Sequence, residues 1–188
     1  MNRTRLFTAV SALTVLALAV PATVWAAGAT TQAAPHPEVT AALKDFKGTV
    51  FEARREADTL ESFTRSRQLS WQSHSYRLHT LKQHVNDLGK KLAELESMKP
   101  LGSQNQQLAI EHARPHLVGT ARHLTDAIEM LNENRRSIHD SDYAEAVRNI
   151  HTHTDSLHKK VGTILDYESA RMRLDNLDLP PAPSIEGS

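Results

Sequence analysis

The sequence predicts an all-α protein, an antiparallel up-down four-helix bundle with long helices and disordered termini. Four stretches carry apolar residues alternately three and four apart, which places a continuous apolar stripe along one side of an α-helix. The segments between these stretches are short, so neighbouring helices are expected to run antiparallel. None of the 188 residues is a cysteine, so disulfides play no part and packing must hold the helices together.

The four stripes define the expected core of the bundle. Almost all other positions are polar, so each helix has a single face to bury. Leucine and valine at successive levels leave little room for a substrate at the centre. The stripe positions are Val39, Leu43, Phe46, Val50, Ala53, Ala57 and Leu60; Trp71, His74, Leu78, Leu81, Val85, Leu88, Leu92 and Leu95; Ile110, Ala113, Leu117, Ala121, Leu124, Ile128 and Leu131; and Tyr143, Val147, Ile150, Thr154, Leu157, Val161 and Ile164.

The first two helices are bounded by turn residues. Helix 1 is expected to begin at Pro37, because proline suits the first helical position, and to end near residues 65–67. Helix 2 is expected to begin close to Ser70. It should stop by Met98, because the residue before Pro100 is disfavoured in a helix.

The last two helices are bounded in the same way. Ser103 and Gln106 have the spacing at which each side chain satisfies a free backbone donor of the other, so helix 3 should begin here. It is expected to run to about Arg136. A turn over residues 137–141 then leads into helix 4, which is expected to reach as far as Leu177.

Residues 1–26 have the organisation of a cleaved signal peptide. Arg3 and Arg5 precede an uncharged apolar run over residues 6–20, and small residues around Ala26 supply a processing site. A membrane anchor is the alternative, but a run of about 15 residues is shorter than the roughly 20 that a spanning helix needs. The protein is therefore expected to be periplasmic or secreted, without a stable membrane span after cleavage.

The rest of the chain divides into three parts. Residues 27–36 lack periodicity and are expected to form a disordered linker, and residues 178–188 form a proline-rich tail that is expected to be disordered as well. Residues 37–177 constitute the bundle. This length is sufficient for one domain with its own core.

The charge balance argues against nucleic-acid binding. Removing Arg3 and Arg5 from the 22 basic residues leaves 20 against 22 acidic residues, so the mature chain is close to neutral. A chain without excess positive charge lacks the broad electrostatic attraction that phosphate backbones and anionic membranes require.

No motif fixes a reaction, so the protein is not expected to be an enzyme. Covalent haem would need cysteines, and a ferritin-type di-iron centre would need paired Glu-x-x-His strings, of which residues 155–158 provide one inexact copy. The sequence also lacks His-Glu-x-x-His, Gly-x-Ser-x-Gly and a glycine-rich phosphate loop. No cofactor is therefore predicted, apart from the metal considered next.

The 11 histidines are the compositional anomaly, and two groups have metal-ligand spacing. His112, His116 and His123 lie within about 40° of one another around helix 3, on its polar side. On helix 4, His151, Asp155 and His158 are spaced so that two imidazoles and a carboxylate can converge on one ion. Imidazole suits Zn, Cu or Ni. A solvated histidine-rich surface without metal is the structural alternative.

Other polar and small residues have both a structural and a functional interpretation. His74 occupies a core position and is expected to be hydrogen-bonded to a neighbour rather than to bind a ligand. Thr154 is expected to bond the backbone of its own helix. Gly48 and Gly119 lie on outward faces, where either a closely approaching partner helix or simple tolerance of a small cost explains them.

Arginines gather at one end of the expected bundle. Positive charge is favourable at the carboxyl ends of helices, which gives these arginines a structural role, and a bound anion is the alternative interpretation. They are Arg65, Arg67, Arg135 and Arg136, with Arg54, Arg55 and His139 nearby.

Four segments carry a resemblance to a set of uncharacterised exported bacterial helical proteins. They are residues 70–74, 84–90, 109–117 and 131–134, read as SWQSH, HVNDLGK, AIEHARPHL and LNEN. The similarity spans roughly residues 60–177. It implies that Trp71, Pro115 and Asn132 have structural roles, and it supplies no activity, cofactor or partner.

Two function classes follow. The first is an exported, non-enzymatic bundle that engages an unknown protein partner, a second copy of itself or the cell envelope, as full seams and outward glycines suggest. The second is a histidine-rich periplasmic metal binder or buffer. A third hypothesis is a pH-responsive protein, because a buried neutral His74 would destabilise the fold in acid.

Overall fold

The computed structural model describes residues 33–175 and residue 177, which form four helices and two short 3₁₀ turns. The described residues contain no β-strand, and the all-α prediction is confirmed. The helices are α1 Pro37–Thr64, α2 Trp71–Met98, α3 Gln104–Glu133 and α4 Ser141–Asp175, and the 3₁₀ turns are Lys99–Leu101 and Ser137–His139.

Neighbouring helices pack against each other in the order α1–α2–α3–α4, and α4 closes the bundle against α1. Polar contacts across the α1–α4 interface show the antiparallel direction. Lys47, early in α1, is 3.7 Å from Asp166, late in α4, whereas Arg54 bonds Asp155 at 3.0 Å. Four amphipathic helices thus enclose one apolar core.

The predicted stripes of α1, α2 and α4 are largely the buried residues of those helices. All seven stripe residues of α1 have no exposed surface, among them Leu43 and Phe46. The α3 stripe is partly wrong. Ala121 and Ile128 are only half-buried, and Thr120 and Ala127 are buried in their place.

Thr120 enters the core because its hydroxyl donates to the carbonyl oxygen of His116 at 2.9 Å, so it brings no unsatisfied polar group. The half-buried Ala121 and Ile128 line a shallow groove of about 360 Å³ between α2 and α3. The α2–α3 seam is therefore less completely closed than the fully buried α1 stripe.

His74 and Thr154 have the structural roles expected of them. Nδ1 of His74 lies 3.0 Å from the Tyr143 hydroxyl, and both side chains are almost completely buried. Burial, and then the nearby His139, lowers the pKa of His74. Thr154 donates its hydroxyl to the carbonyl oxygen of Ile150 at 3.0 Å. The core histidine is thus satisfied within the protein.

The amino end of α3 is capped as predicted. The Ser103 hydroxyl accepts from the backbone N–H of Gln106 at 3.2 Å, and Oε1 of Gln106 accepts from the backbone N–H of Ser103 at 2.9 Å. Gln106 also binds the backbone of His36, at 3.0 Å in both directions. The last residue of the predicted linker is thereby fixed to the bundle.

The predicted carboxyl end of α3, at Arg136, is wrong by three residues. The helix ends at Glu133, and Asn134 adopts an extended conformation. The reason lies beyond the helix, where the Ser137 hydroxyl donates to the carbonyl oxygen of Met130 at 2.7 Å. The following residue, Ile138, is buried in the core, so the chain turns inward rather than continuing the helix.

The predicted signal peptide of residues 1–26, most of the linker and the tail of residues 178–188 lie outside the described residues. None of the helices in residues 33–175 contains a stretch long and apolar enough to span a membrane.

Candidate metal centre

His151, the first residue of the predicted α4 site, lies between two carboxylates of α1. Its Nε2 atom is 3.4 Å from Oδ1 of Asp58, and its Nδ1 atom is 3.1 Å from Oε2 of Glu61. Asp58 and Glu61 are three residues apart and therefore share one face of α1. Because α1 packs directly against α4, this face meets the turn of α4 that carries His151.

Arg65 binds one carboxylate oxygen of Glu61, and the other oxygen faces His151. Its guanidinium donates to Oε1 of Glu61 at 2.6 Å. The side chains of Glu61, His151 and Asp58 are 16%, 25% and 67% exposed. The site is therefore supported on the Glu61 side and open to solvent on the Asp58 side, which gives an ion a path of entry.

The three donors fit a divalent transition metal. Asp58, Glu61 and His151 each offer one ligand atom, and these atoms lie within 4.8 Å of one another. With bonds of about 2 Å in a tetrahedral zinc site, ligand atoms are about 3.3 Å apart, so the side chains must move closer for one nitrogen of His151 and both carboxylates to bind one ion. Among residues 33–175 no other set of three histidine or carboxylate side chains meets that distance.

Asp155, the second predicted ligand, forms ion pairs with two basic side chains of the protein. Its Oδ1 accepts from Nε of Arg54 at 3.0 Å, and its Oδ2 is 2.7 Å from Nζ of Lys159. The pKa of Asp155 is lowered, mainly by the hydrogen bond from Lys159. Both oxygens are thus engaged, and the carboxylate is an ion-pair partner rather than a free ligand.

His158, the third predicted ligand, packs against an aromatic ring of α1. Its ring centroid lies 5.8 Å from that of Phe51. Burial lowers the pKa of His158, and the nearby Arg54 and Lys47 lower it further. The structure therefore gives His151, Asp155 and His158 three different sets of neighbours, despite their shared helix face.

The predicted α3 row meets another histidine of α4. The ring centroid of His153 lies 5.8 Å from that of His116 and 5.6 Å from that of His123. His112, the remaining member of the row, is exposed. The structure thus places His153 between two predicted ligands.

Gly119 makes room for His153. A Cβ atom at position 119 would lie 2.6 Å from Nε2 and Cε1 of that ring. The outward glycine is therefore covered by α4 of the same chain, rather than left free for a partner helix. Gly48, by contrast, has nothing within 4 Å of the corresponding Cβ position.

The histidines on this face differ in their electrostatic surroundings. Burial lowers the pKa of His116, with further contributions from Lys160, His153 and His112. Burial also lowers the pKa of His153, and His123 adds to this effect. Nδ1 of His123 lies 3.6 Å from Oδ2 of Asp126. This face therefore consists mainly of imidazoles, whereas the His151 site has two carboxylates.

Sequence reasoning missed Asp58, Glu61 and His153. A signal for the first two was available, because an acidic pair spaced three apart flanks the stripe positions Ala57 and Leu60. Identifying these partners required matching heights along α1 and α4. His153 lies two residues from His151 and so about 200° around the helix, which places it off the face of the predicted α4 group.

Several arginines of the predicted basic cluster, which lies at the same end of the bundle as His151, have partners within the chain. Arg65 binds Glu61, Arg55 binds Glu52 at 2.8 Å, and the guanidinium of Arg135 lies 4.3 Å above the Trp71 ring. These contacts support the structural interpretation of the basic cluster.

Comparisons with known proteins do not assign a family. No family model, no curated protein and no solved structure matches the chain.

Proposed function

We propose that this protein is an exported, non-enzymatic helical bundle that binds a divalent transition metal between α1 and α4. The observation that carries the proposal is the convergence of Asp58, Glu61 and His151 within 4.8 Å. Their ligand atoms come from two helices, so a bound ion would connect α1 to α4. The proposal adopts the metal-binding class predicted from the sequence, with a different set of ligands.

The donor set favours a borderline metal such as Zn²⁺. Zinc accepts both imidazole nitrogen and carboxylate oxygen at about 2 Å, whereas calcium and magnesium prefer oxygen ligands alone. Three protein ligands leave a fourth position for water or for a group on another molecule. Binding requires neutral His151, so protons should compete with the metal.

An ion pair without metal is the competing explanation. A protonated His151 would bond Asp58 and Glu61 directly, at the observed 3.4 and 3.1 Å. This alternative predicts no saturable metal binding.

The protein or envelope partner predicted from the sequence remains a prediction. One of its supports is weakened, because Gly119 is covered by His153 of the same chain.

Zinc titration calorimetry on the purified protein tests the proposal. We expect a site at which His151→Ala raises the Kd at least about ten-fold, or about 1.4 kcal/mol, because one of three ligands is lost. Asp58→Asn and Glu61→Gln should act in the same direction. Zinc should also raise the Tm of the wild-type protein, since it binds only the folded state.

His79→Ala is the matched control for this titration, because His79 is exposed on α2 and lies away from the site. It should leave the Kd unchanged. An affinity that is the same in the wild-type and His151→Ala proteins would contradict the proposal, and so would the absence of saturable heat.

A further inference from the structure

A second group of potential ligands lies where α3 packs against α4. It consists of four imidazoles that follow one another across the two helices, and we refer to it as the imidazole row: His112, His116, His153 and His123. The row shares no residue with the proposed site of Asp58, Glu61 and His151.

Two helices contribute to the row, with three imidazoles from α3 and one from α4. His112 and His116 are four residues apart on α3, the spacing at which two side chains lie one above the other on a helix. The ring of His153, from α4, then lies between those of His116 and His123, with centroids 5.8 and 5.6 Å away. In this position the ring of His153 packs over Gly119, where an added Cβ would lie 2.6 Å from it and displace it.

One nitrogen of the row lacks a protein partner. Nδ1 of His116 is buried and forms no hydrogen bond with any residue that the structure describes. A buried polar atom without a partner costs free energy, so it requires an explanation. A metal ion bound by this ring or an ordered water would satisfy it.

The spacing of the rings is close to that of a metal site. Two imidazoles on one tetrahedral zinc ion have ring centroids about 5 Å apart, compared with the observed 5.6 and 5.8 Å. No three ligand atoms of the row lie within 4.8 Å of one another among the described residues. Ligation therefore requires the imidazoles to move closer together by rotating about their side-chain bonds.

We propose that the imidazole row binds a second divalent transition metal, of the class that prefers nitrogen ligands, through His116 and His153 with a third imidazole from His112 or His123. Copper, nickel and zinc belong to this class, and copper binds such sites most strongly. The charge on Lys160 near His116 opposes a cation, whereas Asp126 beside His123 favours it.

Electron paramagnetic resonance with Cu²⁺ tests this proposal in the His151→Ala protein, where the α1–α4 site is disabled. The spectrum should show splitting from at least two imidazole nitrogens. In that background, His116→Ala and His153→Ala should each remove one nitrogen from the splitting and raise the copper Kd about ten-fold or more. His79→Ala should change neither quantity.

Unchanged splitting and affinity in both His116→Ala and His153→Ala would overturn the proposal. Circular dichroism must show full helicity for each variant. His116→Gln, which keeps a polar side chain of similar size, provides a second test if His116→Ala is poorly folded. Zinc binding in the protein lacking His116 and His153 reports only the Asp58 site, so the two proposals can fail separately.

Discussion

His151 and His153 lie two residues apart on α4 and have very different surroundings. His151 faces α1 and lies 3.4 and 3.1 Å from the carboxylates of Asp58 and Glu61. His153 faces α3, where it packs over a glycine and between two other imidazoles. The two positions differ by about 200° around the helix, so they meet different neighbours. The neighbouring helix thus determines what each histidine can do.

The two faces differ in charge as well as in donor type. The α1 side presents two carboxylates, of which Glu61 also binds Arg65. The α3 side presents mainly imidazoles, with one carboxylate, that of Asp126, beside His123. We therefore expect the α1 side to bind zinc with mixed oxygen and nitrogen ligands, and the α3 side to favour nitrogen-preferring copper.

The largest expected difference is in the free energy of unfolding, between alanine substitutions at Gly48 and at Gly119, the glycine covered by His153. Alanine is about 1 kcal/mol better than glycine inside a helix, so Gly48→Ala, where the added Cβ meets nothing within 4 Å, should stabilise the protein by about that amount. Gly119→Ala should instead destabilise it by about 1 kcal/mol, because displacing a packed ring costs about 1 to 3 kcal/mol. Urea denaturation measures both free energies of unfolding.

The His153→Ala background provides the control for this pair. Without the ring, Gly119→Ala should become stabilising by about 1 kcal/mol, like Gly48→Ala. A Gly119→Ala effect that is identical with and without His153 would show that the two positions do not interact.

A smaller effect, on the pH dependence of the Tm, is expected from His74, which is buried in the core. Burial and the nearby His139 lower the pKa of His74 in the folded protein, so the unfolded chain binds the proton more readily. Stability from this group is fully present above about pH 6.5 and is lost as the pH falls below that value. The wild-type Tm should therefore fall between pH 7.5 and 5.5 by a few degrees more than that of His74→Asn.

His74→Asn keeps a polar group near the Tyr143 hydroxyl but does not titrate in this range. The other histidines are present in both proteins, so the difference between the two Tm changes reports on His74 together with its interaction with His139. Equal falls in Tm would show that His74 makes no contribution to acid sensitivity. Differential scanning calorimetry at several pH values provides the comparison.

The smallest effect is expected at Asp155, on the same helix face as His151. Because its oxygens bind Arg54 and Lys159, Asp155→Asn should leave the zinc Kd unchanged. It should lower the free energy of unfolding by at most about 1 kcal/mol, the usual contribution of a surface ion pair. Calorimetric titration and urea denaturation measure the two quantities. A ten-fold loss of zinc affinity would make Asp155 a ligand after all.

Most of the fold followed from local patterns in the sequence. The start of α1 at Pro37, the end of α2 at Met98 and the cap at Ser103 match the structure because each depends on residues within one turn. The end of α3 did not match. It depends on the Ser137 hydroxyl bonding Met130 and on the burial of Ile138, which are contacts across a turn.

The candidate metal site was only partly predictable. The spacing of His151, Asp155 and His158 correctly indicates a shared helix face, but it does not reveal what the next helix places opposite each residue. Arg54 lies opposite Asp155, and Phe51 lies opposite His158. Periodicity within one helix carries no information about these neighbours, because they depend on the relative height and rotation of two helices.

The sequence alone therefore determined that four amphipathic helices form an antiparallel bundle, because apolar periodicity and turn residues act over short distances. Only the tertiary structure decided that Asp58 and Glu61 meet His151 and that His153 occupies the space over Gly119. Those encounters depend on how two packed helices are aligned, which is set by the complementary shapes of all their side chains together.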